Sequence, residues 1–299
     1  MDALPYAFCK RVTNTVNCCA LLQRCECETP VLADPKWSFA IKEKYQFLLA
    51  RSNGEWKYAF KSGPISPDYM TIEQFRKKIH NKQARIKWIG LNVSIEGHLP
   101  HLKRVDRELN KLLDFVSYLS NEPILALHCD PMMFAQQEGA QLFAWLTERP
   151  FSCISIPNYE QIFNKLLENQ FSRRKPTLCN VWKIESGGEF LAEKTKSGFL
   201  KRFRLFREKL PYHLLEDIVR NFMNNPSNFE KCAITANLEH FGCLELTRQT
   251  LEQMRLEGKC QIDDDGTYVF QCQAVSLQIK LYEGAWINFL KIECLKAAV

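Results

Sequence analysis

At 299 residues, with 46% hydrophobic and 25% charged residues, the chain has a globular composition and enough apolar content for one elongated or two compact domains. Its longest apolar runs, such as Ile124 to Leu127 and Trp286 to Leu290, fall far short of the ~18 residues that span a bilayer, and Asp2 and Pro5 stand where a secretory signal needs a basic, then apolar, start. The expectation is a soluble, intracellular protein, cytoplasmic or nuclear, and the balance of 40 Lys and Arg against 34 Asp and Glu, +6, is too slight to indicate nucleic acid.

The chain opens with Leu4 and Pro5, and Phe8, Val12 and Val16 recur at four-residue spacing, which predicts a short amphipathic helix. Arg24 to Asp34 reads as irregular, and Trp37 to Lys44 as a further helix. Tyr45 to Ala50 and Glu55 to Lys61 flank Ser52-Asn53-Gly54, the strongest local signal for an antiparallel hairpin. Thr71 with Gln74 three residues on forms a capping-box pair, so a helix is expected through Ile79. Ile86 to Ile95 follows as a strand buried in part on both faces.

From about Val105 the rhythm changes to helix followed by buried strand. Helices are expected over Leu109 to Leu119, Glu138 to Leu146, Tyr159 to Asn169 and Leu214 to Asn224. Strands are expected at Pro123 to His128, Phe151 to Ile156, Cys179 to Ile184, Phe199 to Phe206 and Lys231 to Thr235, with a Gly-containing connection over Ser186 to Gly198 that carries a further helix. This loose period fits mainly parallel strands, either leucine-rich-repeat-like or in irregular α/β packing. Helix Leu246 to Leu256 then precedes two closing β-hairpins, around Asp263-Asp264-Asp265-Gly266 and Glu283-Gly284. The fold class read from the sequence is therefore α/β, with an N-terminal helix and antiparallel hairpin region over residues 1–104 and a helix-strand region with closing hairpins over 105–299.

Each candidate chemistry meets a specific obstacle. Thirteen cysteines, an odd number without framework spacing, fit reduced thiols, and Cys153, Cys179, Cys232 and Cys294 sit among apolar neighbours as inert core. Cys18, Cys19, Cys25 and Cys27 cluster without the paired Cys-x-x-Cys knuckles of a zinc site. His128, Cys129 and Asp130 end a predicted strand, but adjacent side chains point to opposite faces, so His128 is badly placed to deprotonate Cys129. The three aspartates before Gly266 lack the alternation and distal Glu of a calcium loop and suit an exposed turn. The glycines form no phosphate loop. Arg173-Arg174-Lys175 and Lys201, Arg202, Arg204 and Arg207 lie among Phe171, Phe199, Phe203 and Phe206, a mixture used for single-stranded nucleic acid. Alternation, however, puts Arg202, Arg204 and Phe206 on one face of the strand and Phe199, Phe203 and Leu205 on the other, so the arginines also suit a solvated outer face.

The opening MDALPYAFC, the Trp-containing NGEWKYAF, the EQFRKK helix and the later helix-strand alternation resemble the nematode-expanded families of F-box-like and F-box-associated proteins. Leu4, Pro5, Phe8, Val12 and Val16 match the start of an F-box, while the irregular Arg24 to Asp34 departs from it and leaves the box degenerate. The resemblance implies a substrate-recognition subunit of a cullin-based ubiquitin ligase, with Leu4, Pro5 and Phe8 as contacts to the F-box adaptor and the helix-strand region holding an unknown substrate. With no catalytic, metal or cofactor site recognised, the expected function is non-enzymatic protein–protein interaction. The alternatives are a thiol- or metal-dependent enzyme using Cys129 or the Cys18 to Cys27 cluster, and a nucleic-acid-binding protein using Arg202, Arg204 and Phe206.

Overall fold

A computed structural model describes residues 43–52, 54–62, 68–79, 84–91, 102–105, 109–128, 131–134, 137–173, 177–206, 213–237, 244–283 and 289–296. The expected first helix, with Leu4, Pro5 and Phe8, and the Cys18 to Cys27 cluster lie outside these residues, as does nearly all of the expected helix over Trp37 to Lys44, whose last two residues already belong to a strand. The architecture is mixed α/β, with parallel and antiparallel strands, and the described residues fall into two compact units that meet in sequence between Ile124 and Leu125.

In the first unit β1 (Glu43–Ser52) and β2 (Glu55–Ser62) form the expected hairpin, in register from Tyr45 opposite Ser62 to Ser52 opposite Glu55. That register leaves a two-residue turn, and Gly54 closes it at φ +78, a left-handed conformation that glycine adopts without Cβ strain. After β3 (Tyr69–Met70), helix α1 (Ile72–Ile79) begins with the predicted capping box. Gln74 N donates to Thr71 Oγ1 at 3.2 Å, and Thr71 N donates to Gln74 Oε1 at 2.8 Å. The helix carries the chain over the sheet, so β4 (Ala84–Leu91) returns parallel to β1, and this part of the sheet is mixed rather than purely antiparallel. The short β5 (Lys103–Arg104) pairs with β2. Buried aromatics hold the layers together: Phe75 of α1 stacks on Phe60 at 4.3 Å and meets Tyr45 edge-on at 4.8 Å. Helix α2 (Leu109–Leu119) brings Phe115 to 6.0 Å from Phe60, which attaches it to this unit although the change of rhythm in the sequence begins before it.

Strand β6 (Ser120–Leu127) runs across the boundary. In the second unit α3 (Gln137–Glu148), β7 (Cys153–Tyr159), α4 (Asn164–Phe171), β8 (Leu178–Ile184), α5 (Gly188–Lys196), β9 (Arg202–Leu205), α6 (His213–Asn224) and β10 (Ala233–Asn237) alternate as the sequence implied. Strands β7, β8, β9 and β10 lie side by side in chain order, all parallel. Because each crossover steps the same way and crossovers share one hand, the described helices collect on one side of the sheet, and among the described residues the other face carries no helix. Helix α7 (Leu244–Leu256) leads to β11 (Gln261–Ile262), β12 (Tyr268–Cys272), β13 (Val275–Tyr282) and β14 (Phe289–Lys296), all antiparallel, and β14 closes against β10. Among the described residues no helix is long and apolar enough to cross a membrane.

Candidate functional site: the helix-free face of the second unit

Strand alternation builds the site. In β7 to β10 the residues beneath the helices are Ile154, Ile156, Cys179, Val181, Phe203, Leu205, Ile234 and Ala236, none more than 2% exposed. Burying such a row removes the apolar area that drives the sheet and helices together. The intervening residues point the other way, and the register aligns them across strands. Ser155 lies beside Asn180, Asn180 beside Arg204, Arg204 beside Thr235, and Thr235 beside Lys291. A neighbouring row carries Leu178, Arg202, Ala233 and Glu293. Beyond Arg204, Phe206 stacks on Trp182 with ring centroids 4.3 Å apart and planes 14° from parallel. Trp182 is 40% exposed, so a large aromatic surface faces outward.

The separation of Arg202, Arg204 and Phe206 from Phe203 and Leu205 is as the sequence implied. Phe199 departs from it. The strand starts only at Arg202, and Phe199 lies in the preceding turn, 6.1 Å from Phe171 and beneath the Lys194 ammonium at 4.8 Å. The other basic residues singled out in the sequence do not join the face. Arg173 donates from Nη2 to the Glu148 carbonyl at 2.8 Å and from Nε to the Asn169 carbonyl at 3.2 Å, closing two helix ends. Lys201 Nζ donates to the Asn228 carbonyl, and burial lowers its pKa. Arg174, Lys175 and Arg207 lie outside the described residues.

Charge on the face is unevenly committed. Lys291 pairs with Glu293 at 2.7 Å, and Lys280 of β13 pairs with Asp265. Among the described residues, Arg202 and Arg204 have no ion pair and no hydrogen-bonded partner. Asn180 donates from Nδ2 to Cys153 Sγ at 3.5 Å, while its Oδ1 is buried and accepts nothing. Burial pushes the Cys153 thiol up to about 11 despite the opposing Arg204 and Arg202 charges, and burial likewise raises Cys179. A thiol held protonated is a poor nucleophile, so these cysteines act as packing.

The remaining candidates are placed as follows. His128 is exposed at the end of β6, while Cys129 and Asp130 lie outside the described residues. Among the described residues no group of three His, Cys, Asp or Glu side chains could hold a metal ion. Asp263 shapes an exposed turn, its Oδ1 accepting from Thr267 N at 2.8 Å and Asp265 N at 3.2 Å, with Gly266 at φ +79. A cleft of about 650 Å³ lies between α6 and α7, lined by Val219, Met223, Met254, Gln253 and Glu257. Glu257 accepts from Gln253 and pairs with Lys259.

Trp182, Asn180, Ser155 and Thr235 did not stand out in the sequence. Alternation within β8 does place Asn180 and Trp182 opposite Cys179 and Val181, but their meeting with Arg204 and Phe206 depends on strand register. No protein-family model matches the chain, and neither a curated protein nor a solved structure shows a significant match.

Proposed function

We propose that the chain is a non-enzymatic protein-interaction module whose second unit takes a protein partner on the helix-free face. The observation that carries this reading is the row of aligned, partly exposed polar and basic side chains beside the Trp182–Phe206 stack, on a sheet whose other face is closed by helices. Aromatic and arginine side chains on a rigid platform are the residues that dominate protein interfaces. In its most specific form, which rests on the F-box resemblance, the module is a substrate-recognition subunit of a cullin-based ubiquitin ligase, with Leu4, Pro5 and Phe8 on the adaptor.

The test places a photo-crosslinking amino acid at Thr235 on the helix-free face, or at Leu246 on the exposed side of α7, and irradiates the full chain in native extract. Discrete protein adducts from Thr235 and not from Leu246 are expected; adducts equally from both, or from Leu246 alone, would defeat the reading. Purification without crosslinking addresses the ligase form, which fails if neither adaptor nor cullin accompanies the chain.

Nucleic-acid binding is the second reading, favoured by the stacked Trp182 and Phe206 beside Arg202 and Arg204, which are unpaired among the described residues. It requires retention on immobilised single strands that falls steeply with salt. The thiol or metal enzyme reading, through Cys129 or the Cys18 to Cys27 cluster, stands or falls on metal analysis and labelling by an electrophilic thiol probe.

A further inference from the structure

We infer that the helix-free face binds an extended acidic peptide segment, whose carboxylates at alternate positions pair with Arg202 and Arg204 while an apolar side chain at the next alternate position, beside Arg204, rests on Trp182 and Phe206. The inference rests on the docking-face reading above and adds the chemistry of the partner.

Arg202 and Arg204 lie two residues apart on one strand and share a face. That spacing is about 6.6 Å, the distance between alternate side chains of any extended peptide. A guanidinium offers a planar fork of donors that matches a carboxylate bidentately, and it stays charged at every physiological pH. Neighbours normally occupy such a fork; here both forks are uncommitted among the described residues, although acidic residues elsewhere on the sheet pair with lysines.

The same charge pattern favours a peptide over a nucleic acid. A phosphodiester chain needs a continuous positive track, whereas Lys291 and Lys280 are neutralised by Glu293 and Asp265, and Glu293 lies on the same row as Arg202. The stacked rings form one apolar platform that takes an aliphatic or aromatic side chain.

The experiment selects a phage-displayed random dodecapeptide library against the full chain and measures the recovered peptides by fluorescence polarisation. The comparison set is the wild type, the double variant Arg202→Gln with Arg204→Gln, the variant Trp182→Ala, and Arg248→Gln on α7 as a control. Circular dichroism melts confirm that each variant folds. Recovered peptides should carry Asp or Glu at positions i and i+2. Their affinity should fall at least tenfold in the double variant and several-fold in Trp182→Ala, and should hold in Arg248→Gln. Peptides without acidic enrichment that still need Trp182 would overturn the acidic inference and leave the docking face standing. Peptides insensitive to all three variants would overturn both. Displacement of the peptides by twelve-residue oligo-dT at lower concentration than by acidic peptide would overturn the inference in favour of nucleic acid.

Discussion

Gly139 shows how much a single hydrogen can decide. It sits in the first turn of α3, where a Cβ would lie 2.0 Å from the Met133 carbonyl oxygen and 2.9 Å from Phe134 Cα. Both obstacles are backbone, so the helix or the turn over Pro131–Phe134 must move, and Gly139→Ala should destabilise the chain by about 3 kcal/mol in urea unfolding, the upper end for overpacking. Gly258, at φ +74 with open space around it, should cost only about 1 kcal/mol as Gly258→Ala. If the two variants were equally stable, the close approach at Gly139 would be wrong. The cysteines were legible at this scale: apolar neighbours marked Cys153, Cys179, Cys232 and Cys294 as core, and all four are buried. Burial holds the Cys232 thiol up at about 12 against the opposing Lys201 charge, compared with an ordinary value of 9.0. The folded chain therefore keeps a proton that the unfolded chain loses. Stability present below pH 9 should decline as pH rises from 9 towards 12, by at most about 1.4 kcal/mol per unit for this thiol. Cys232→Ala should lose less stability than the wild type between pH 8 and pH 10 in paired urea melts; an equal loss would show that the thiol contributes nothing.

Elements were readable where the signal is local. The Asn53-Gly54 turn and the Thr71/Gln74 box each involve residues within three positions of one another, and both stand where the sequence put them. Thr71→Ala removes one cap of α1 and should cost about 1 kcal/mol, read from the unfolding midpoint. Pairings that depend on a crossover were not readable: nothing in Ala84 to Leu91 says that it lies parallel to Glu43 to Ser52, because α1 sets that direction. Strand β9 sharpens the same distinction. Its alternation was plain, but the chain from Phe199 to Lys201 is a turn closed by Phe199 N and Leu200 N donating to the Lys194 carbonyl, a contact with the end of α5. Phe203, fully buried, should cost roughly 3–5 kcal/mol as Phe203→Ala, whereas Arg204→Ala should change stability by no more than about 0.5 kcal/mol. Comparable losses from the two variants would contradict the assignment of faces.

At the scale of the second unit, chain order and spatial order coincide from β7 to β10, which is why a loose helix-strand period in the sequence foretold the parallel sheet while the composition of its outer face had to wait for the register. A unit built this way exchanges stability mainly between neighbours, in the manner of a repeat array. Ile234 is central to that order: it lies beside Phe203 on one side and Ile292 on the other, and it is fully buried. Ile234→Ala should remove about 2–5 kcal/mol of local packing. If stability is shared between neighbours, amide hydrogen exchange should accelerate first in β9, β10 and β14, which carry these three residues, while β7, two strands beyond β9 in the order, keeps its protection longer. The opposite result is just as clear to read. Uniform acceleration across β7 to β14 would mean that the second unit opens as one cooperative body. The helix-free face would then be held rigid by the whole sheet, not by the three strands that carry Trp182, Arg204 and Thr235.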